Sequence, residues 1–525
     1  MKCSMLNANG LLTIKTALVI MMFCLGSVNL FAQSFPVTIV NHTGTPDSNI
    51  FVCVVGQDLT TNKNYIWIDL TTGQQKPMKL SNNTVQGPIY NGDKGPGGNG
   101  KYANCFTKLS DITNRKFMLD KIQGCRMFFS LKSQLYLYFF GQDTVFGYAA
   151  PSSSNLTDPN RGIEYEIIEL TYDNSGFYGN TTRVDFYQRP MAMKLYGDGL
   201  SAPLHVGEQV SNQTVLSTYM QNAPDTFKNC IDTAKGLITQ PSKTADFSDG
   251  SISGIPKGPY QHYFKSYIDA IWNKYSSQDL DFDAGENGIW KGNVSNDTLK
   301  MNCQSQCPAA FVGVTATITR KPTTQEAFEG KGVLNQANNN AIVDKAMQAQ
   351  ICAAINRHVI DVTTANPGVQ NWGDTASYYK TFPYNWYAKF WHSYGISVNN
   401  FSYGFAYDDV FKQSSSVHTV QTDSLTIFIG GMNHATSSHA VAQSNEIKLY
   451  PNPLKDMLFI NLNGYNSNSY AVEFFEIASG KKMLSTKFDS GDAVDIGNKL
   501  PAGVYLVHLI NHKAEVIVRE KLIVE

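Results

Sequence analysis

From Phe35 to about Leu204 the chain reads as short strand-forming runs rich in β-branched, apolar and aromatic residues: Val37–Val40, Ile50–Val55, Tyr65–Ile68, Met127–Ser130, Leu135–Phe140 and Glu164–Tyr172. Alternation with period two sends successive side chains to opposite faces of a strand, and the Gly, Asn and Asp clusters between the runs supply turns. A β-sandwich or barrel is predicted over this stretch. Helical spacing appears only later. Phe264, Ile268, Ile271 and Trp272 fall on one face of a helix over 263–275, and Ile342, Ala346, Ala349 and Ile355 do so over 339–355. Ser424–Ile429 reads as a strand again. The pattern therefore predicts a mainly β protein with an α/β part: a β domain over 33–205, an α/β domain over 206–401, and a return over 402–432 that completes the first.

Beyond Gly430-Gly431 the stretch 433–445 has no apolar period and reads as a linker. Short strands then resume at Met457–Ile460, Ala471–Glu476, Val504–Leu509 and Val516–Val518, with turns at Pro451-Asn452-Pro453, Ser479-Gly480 and Pro501-Ala502-Gly503. A separate small β-sandwich over 446–525 is expected. At the other end, Lys2 and Lys15 precede the apolar run Ala17–Leu25, and small and polar residues follow up to Ala32. Residues 1–32 read as a secretory signal peptide cut after Ala32, because the run is well short of the ~20 residues that cross a bilayer. No later segment approaches that length, so no transmembrane segment is expected.

Composition narrows the function classes. Lys+Arg of 42 against Asp+Glu of 43 leaves a net charge of −1, which offers no field to hold nucleic acid or an anionic membrane. With 16% charged and 12% aromatic residues the composition is that of β-rich extracellular proteins that handle carbohydrate and equally of many inert β-sandwiches, and it excludes disorder over most of the length. Nine cysteines less Cys3 and Cys24 leave seven after export, so at most three bridges form and one thiol is left over. No Cys-x-x-Cys or zinc spacing of His and Cys occurs, and neither metal nor cofactor is expected. Gly95–Lys101 imitates a phosphate-binding loop, but Tyr102 stands where Ser or Thr would hold magnesium. Asp279, Asp281 and Asp283 imitate a calcium loop, but Ala284 replaces its glycine and Trp290 its bidentate glutamate. No Gly-x-Ser-x-Gly elbow is present.

One segment carries chemistry. Strand alternation places Ile163, Tyr165, Ile167, Glu169 and Thr171 on one face, so Glu169 ends an apolar row. Apolar neighbours disfavour the charged form of a carboxyl and suit it to general acid work near neutral pH. Asp173-Asn174-Ser175-Gly176 is a turn, and a hairpin centred on Phe177 sets Glu169 across from Asp185. Cross-strand Cβ atoms lie ~5 Å apart and diagonal ones ~7–8 Å. Such a pair reaches either the ~5–5.5 Å of a retaining glycosidase or the ~6.5–9.5 Å of an inverting one. The bland alternative makes both carboxylates rim residues, one of them paired with Arg183.

Glu169-x-Thr171, Tyr178-x-Asn180 and Val184-Asp185-Phe186, with Tyr403–Val410 and Gln413–Val417 near the end, resemble glycoside hydrolase family 64. The resemblance implies a thaumatin-like β-barrel facing an α/β domain across a wide groove, and endo-type hydrolysis of β-1,3-glucan with inversion. By it, Glu169 is the general acid, Asp185 the general base, and Thr171, Asp173 and Tyr178 the sugar contacts. The family favours Asn at position 173 and Trp at 178, so the chain departs from it twice. Asp408 is expected either to line the cleft or to cap the last strand, and the six tryptophans are expected in the core. The rival reading is a non-catalytic β-glucan-binding protein; a surface adhesin or inhibitor is a third. Leu449–Pro453, Ala478–Gly480 and Leu500–Val507 with a basic last strand resemble the C-terminal sorting domain of type IX secretion cargo. That implies the type IX machinery as a partner and a place outside the cell or on the outer-membrane surface of a Gram-negative bacterium; separately, a monomer is expected.

Overall fold

The computed structural model describes residues 34–60, 63–141, 147–152, 155–251, 255–432, 448–450, 452–461, 470–477, 479–488, 494–511 and 516–525. The expected signal peptide (1–32) and linker (433–445) lie outside the described residues. Two units form, Met1–His434 and Ala435–Glu525.

Two sheets organise the first unit. Their strands are β1 (Phe35–Asn41), β2 (Ile50–Gln57), β3 (Tyr65–Asp69), β4 (Gln74–Pro77), β5 (Thr107–Lys108), β6 (Lys116–Leu119), β7 (Ile122–Leu131), β8 (Glu164–Asp173), β9 (Gly176–Thr181), β10 (Met191–Gly197), β11 (Leu204–Gly207), β12 (Ser416–Thr419) and β13 (Thr422–Ile429). The smaller sheet runs β11-β10-β13-β1-β6 and the larger β12-β9-β8-β7-β2-β3-β4, with β5 on β2. The late strands β12 and β13 are thus built into sheets whose other strands precede residue 208. β1 lies parallel to β13, and the other pairs of both sheets are antiparallel. Alternation decides what is buried: Phe35, Val37 and Ile39 of β1 meet Val52, Val54, Met127, Ile168, Leu170 and Phe177 between the sheets. This is the sandwich the period-two pattern predicts.

The outer face of the larger sheet is divided. Around β2 and β7 a second layer covers it, with Cys53, Val55 and Phe128 packed against Met78, Ala103, Cys105, Leu135, Leu137 and Phe139. Across β8, β9 and β12 the same face carries Glu169, Thr171, Tyr178, Asn180, Ser416 and His418, which line an open groove.

Between β11 and β12 the chain builds a second core. Helices at Lys265–Lys274 and Ala341–Arg357 lie where apolar spacing predicts them, but the second turns Val343, Met347 and Ile351 inward and leaves the expected core residue Ile342 exposed; Asn340 caps it by accepting from the N–H groups of Ile342 and Val343. The spacing does not announce the helix Asn212–Asn222, which buries only Val215 and Tyr219. A five-stranded sheet accompanies the helices, and only its edge pair, Leu280–Asp283 with Val369–Asn371, is parallel. Trp272, Trp290, Trp372, Trp386 and Trp391 are buried here, as expected of core residues. Cys303 and Cys307 form a disulfide, and Cys53, Cys105, Cys125, Cys230 and Cys352 are buried thiols.

The second unit packs a three-stranded and a four-stranded sheet around Leu458, Val472, Phe474, Val507, Leu509 and Leu522, the small sandwich predicted for 446–525. No helix among the described residues is long and apolar enough to cross a membrane.

Candidate active site

Two cross-strand rows make the groove floor. One reads Arg126–Glu169–Asn180–Ser416 and the next Thr171–Tyr178–His418. The register corrects the expected hairpin: Glu169 faces Asn180, not Asp185. The Asp173 carboxylate accepts from the N–H of Ser175 at 2.7 Å, and Gly176 takes a φ of 114°, which closes the turn early. A Cβ at Gly176 would stand 2.3 Å from the Thr419 carbonyl oxygen, so the tight turn also admits β12 alongside β9.

Asp185 reaches the groove by another route. Past Thr181 the chain leaves the ladder: the Arg183 N–H donates to the Tyr403 carbonyl at 2.8 Å, and Phe186 pairs with Thr239 of the second core. Between these anchors the Asp185 carbonyl accepts from the Gln240 N–H at 3.0 Å. The Asp185 carboxylate stays open to solvent, 3.8 Å from the Lys243 ammonium, which also pairs with Glu329 at 3.1 Å. Glu169 and Asp185 consequently line one depression of about 310 Å³, with Asn180, Tyr165, Phe186 and Tyr403. It merges through Arg126, Glu169 and Asn180 into a depression of about 700 Å³ that holds Thr171, Tyr178 and His418.

Glu169 ends the apolar row Ile163, Tyr165 and Ile167 as alternation predicts, on the face opposite the core residues Ile168 and Leu170. What the sequence did not show is its cation: Glu169 is half-buried and its Oε1 accepts from Arg126 Nε at 2.9 Å. Burial would lower the Arg126 guanidinium, but Glu169 and Tyr148 beside it outweigh that and raise it. Arg183, the other partner considered for the pair, is fully buried instead between Glu166 (2.6 Å) and Glu208 (2.7 Å).

The remaining predicted residues divide. Thr171 lines the groove and its Oγ1 accepts from the Gly124 N–H at 3.1 Å. Tyr178 is exposed and stacks on His418, ring centroids 3.9 Å apart at 14°. The His418 Nδ1–H in turn donates to the Phe177 carbonyl at 2.9 Å. Asp173 holds the turn rather than entering either depression. Asp408 neither lines the cleft nor caps a strand. It is wholly buried, bonded to Arg357 (3.0 Å), His392 (2.8 Å) and the Gly404 N–H (2.9 Å). Burial alone would raise this carboxyl, but His392 and Arg357 hold it below the ordinary carboxylate range. Next to it Asp409 is raised, by burial and by Asp408.

Arg126, Asn180, His418, Tyr403 and Lys243 are site residues to which sequence reading assigned no role. Asn180 was within reach: alternation from Tyr178 puts it on the groove face once the turn is placed correctly. Arg126 and His418 come from strands distant in sequence, and nothing local marks them. Among the described residues no cluster of three His, Cys, Asp or Glu side chains is placed to hold a metal, and Lys291 pairs with both Asp279 and Asp281 of the calcium-like run.

Two carboxylates opening from separate elements into one open groove, beside an exposed aromatic ring, are the arrangement a glycoside hydrolase requires. Comparison with known proteins narrows the class: residues 33–429 match the β-1,3-glucanase model of glycoside hydrolase family 64, and the chain belongs to that family. Residues 448–525 match the secretion system C-terminal sorting domain. A glucan endo-1,3-β-glucosidase of Arthrobacter sp. (strain YCWD3) is 29% identical over 280 residues, 51% of this chain and 45% of its own length. One from Cellulosimicrobium cellulans matches with the same identity and coverage, so the chain spans about half the length of both. Among solved structures, a family 64 β-1,3-glucanase domain from Clostridium beijerinckii is 31% identical with a TM-score of 0.64, covering 76% of this chain and 98% of that one. A laminaripentaose-producing β-1,3-glucanase from Paenibacillus barengoltzii is 26% identical with a TM-score of 0.54, covering 76% and 75%. The resemblances drawn from the sequence, to family 64 and to sorting domains, both hold.

Proposed function

We propose that this chain is a secreted endo-β-1,3-glucanase that cleaves with inversion, Glu169 acting as general acid and Asp185 as general base. The observation that carries the reading is that the two carboxylates line one depression while approaching it from different elements, β8 and the segment that leaves the sheet after β9. The family and the names of its relatives support β-1,3-glucan as the substrate. In this mechanism the Glu169 proton passes to the glycosidic oxygen as the bond to the anomeric carbon breaks. Asp185 takes a proton from the water that attacks the opposite face of the sugar, and charge builds on the ring as an oxocarbenium-like transition state.

Thr171 and the Tyr178–His418 platform hold glucosyl units beside the acid, while Asp173 acts on the site only through the hairpin it fixes. The thaumatin-like description of 33–205 with 402–432, opposed to an α/β domain over 206–401, belongs to the same proposal. So does a working monomer delivered through type IX secretion, whether it stays on the outer membrane or is released.

The test is reducing-sugar release from laminarin and curdlan with the product anomers followed by NMR. Oligosaccharides that first appear as α-anomers support inversion, and β-anomers would overturn it. A protein that retains the polymer and releases nothing hands the groove to the binding reading. Arg126→Ala is expected to lower kcat about tenfold, because the carboxyl of Glu169 loses the partner that orients it. Stability should change by less than about 1 kcal/mol, since the pair is half-exposed. Parallel kinetics and thermal melts check both.

A further inference from the structure

Resting on the glucanase reading, we propose that a further carbohydrate-binding stretch lies across Glu169 and Asp185 from Tyr178, over Tyr165, Phe186 and Leu237, and takes glucosyl units of the same neutral chain. Along β8, at ~3.3 Å per residue, Thr171 stands ~7 Å from Glu169 in one direction and Tyr165 ~13 Å in the other. At the Tyr165 end a depression of about 570 Å³ opens, and it shares Pro151, Tyr165 and Phe186 with the one that holds both carboxylates. It shares no residue with the depression around Tyr178, so the three follow one another with the carboxylates in the middle.

Its far wall comes from the second core. Phe186 pairs with Thr239 in a ladder, which brings the hairpin carrying Lys235 and Leu237 alongside the sheet. The near wall is held by hydrogen bonds: Asp158 accepts from the N–H groups of Asn160 (2.7 Å) and Ser152 (2.8 Å), and the Gln188 side-chain carbonyl accepts from the Tyr165 N–H (2.9 Å). The Tyr165 and Phe186 rings meet edge to face, 4.9 Å between centroids, which leaves ring surface for the apolar face of a pyranose. Both cations already have partners, Arg161 with the Leu156 carbonyl and Lys235 with Asp232. The chemistry calls for hydroxyls rather than an anion, and a groove filled on both sides of the cleavage point suits attack within a chain.

Tyr90 closes the end of this depression, under Arg161. The test is the Tyr90→Ala/Leu237→Ala variant of the full chain on laminari-oligosaccharides from tetraose to octaose, with cleavage positions mapped by mass spectrometry. The gain in kcat/KM from the shortest to the longest should shrink about tenfold, the loss of roughly one stacked contact, and the preferred bond should move along the octaose. A length profile and cleavage position equal to wild type, or a loss uniform at every length, would overturn the proposal. If wild type hydrolyses none of these sugars, the glucanase reading fails instead. Electrophoresis in laminarin gels then reads the depression alone, and equal retardation of variant and wild type overturns it.

Independently of the groove, we infer that Cys53 and Cys105 close a second disulfide in the exported chain. Their sulfurs lie 3.5 Å apart, both buried. Cys53 belongs to the layer on the outer face of the larger sheet, whereas Cys125 belongs to the core between the sheets, so the sheet itself separates Cys53 from Cys125. Burial pushes the Cys53 thiol well up, which makes thiolate attack slow in the finished fold and places closure during folding. Each thiol gives up a proton, the pair gives two electrons to a protein disulfide oxidant, and that disulfide is reduced to two thiols. The bond would fasten the covering layer to β2. Non-reducing peptide mapping of the chain produced in an oxidising periplasm should show the Cys53–Cys105 cross-link, abolished by dithiothreitol. Recovery of either cysteine as a free thiol, or linked elsewhere, would overturn the inference.

Discussion

Glu169→Gln and Asp185→Asn are each expected to lower kcat on laminarin by roughly 10²–10⁴-fold, the range for removing a positioned acid or base. Neither change should unfold the protein, because both carboxylates are solvent-accessible and each keeps a hydrogen-bonding amide in place of its oxygen. The two are separable by leaving group. Fluoride needs no proton, so a β-laminaribiosyl fluoride should be turned over far better by Glu169→Gln than laminarin is, while Asp185→Asn stays slow on both. Equal losses of the two variants on the fluoride would mean that Glu169 is not the acid. Retention of more than a tenth of wild-type activity on laminarin by either variant would remove that residue from the mechanism.

Arg183→Met is expected to destabilise the first unit by about 3–5 kcal/mol, as breaking a buried ion pair does. Its guanidinium is buried against two carboxylates, and those carboxylates organise the chain around Asp185. Glu166 Oε1 accepts from the N–H groups of Gln188 and Arg189, and Glu208 Oε2 accepts from the N–H of Met191. The Arg183 carbonyl accepts from the Tyr387 hydroxyl at 2.6 Å, which ties this segment to the second core. Glu166 is already raised by burial against the pull of Arg183. Without the cation the folded state binds more protons than the unfolded chain, so stability of the variant falls as pH rises. The deficit should therefore be largest at neutral pH and smallest near the carboxylate range. Replacing Glu166 and Glu208 by Gln alongside Arg183→Met should recover much of it, since no charge is then left buried. All six tryptophans precede residue 434, so urea titrations followed by tryptophan fluorescence report on this unit alone. A deficit below about 1 kcal/mol, or one that grows on acidification, would contradict this account.

Much of the architecture was legible because alternation is a local property. The runs at Val37–Val40, Ile50–Val55 and Glu164–Tyr172 became strands; alternation decides which side of Glu164–Tyr172 faces the core, whereas Ile50–Val55, apolar throughout, is covered on both faces. The helix at Lys265–Lys274 followed from apolar spacing in the same way; Ala341–Arg357 was placed in the chain but on the wrong face, with Ile342 exposed and Val343, Met347 and Ile351 inside, and Asn212–Asn222, with two buried side chains, left too weak a pattern to see. The candidate site was legible in part. Glu169, Thr171 and Tyr178 share the groove face because alternation within one hairpin decides it.

Register was not legible. A turn closing at Gly176 rather than around Phe177 moves every cross-strand partner, so Asn180 came to face Glu169. Asp185 joined the depression through a bend held by Tyr403 and Gln240, residues far away in the chain. Asp408 shows the converse: a carboxylate expected to line the cleft or cap the last strand proved to be buried with Arg357 and His392. By itself the sequence determined the family and several of the strands, because each depends on residue identity and local pattern. The tertiary structure alone decided which side chains stand beside Glu169 and Asp185. Arg126, His418 and Lys243 arrive through ladders and packing between segments that no local pattern connects.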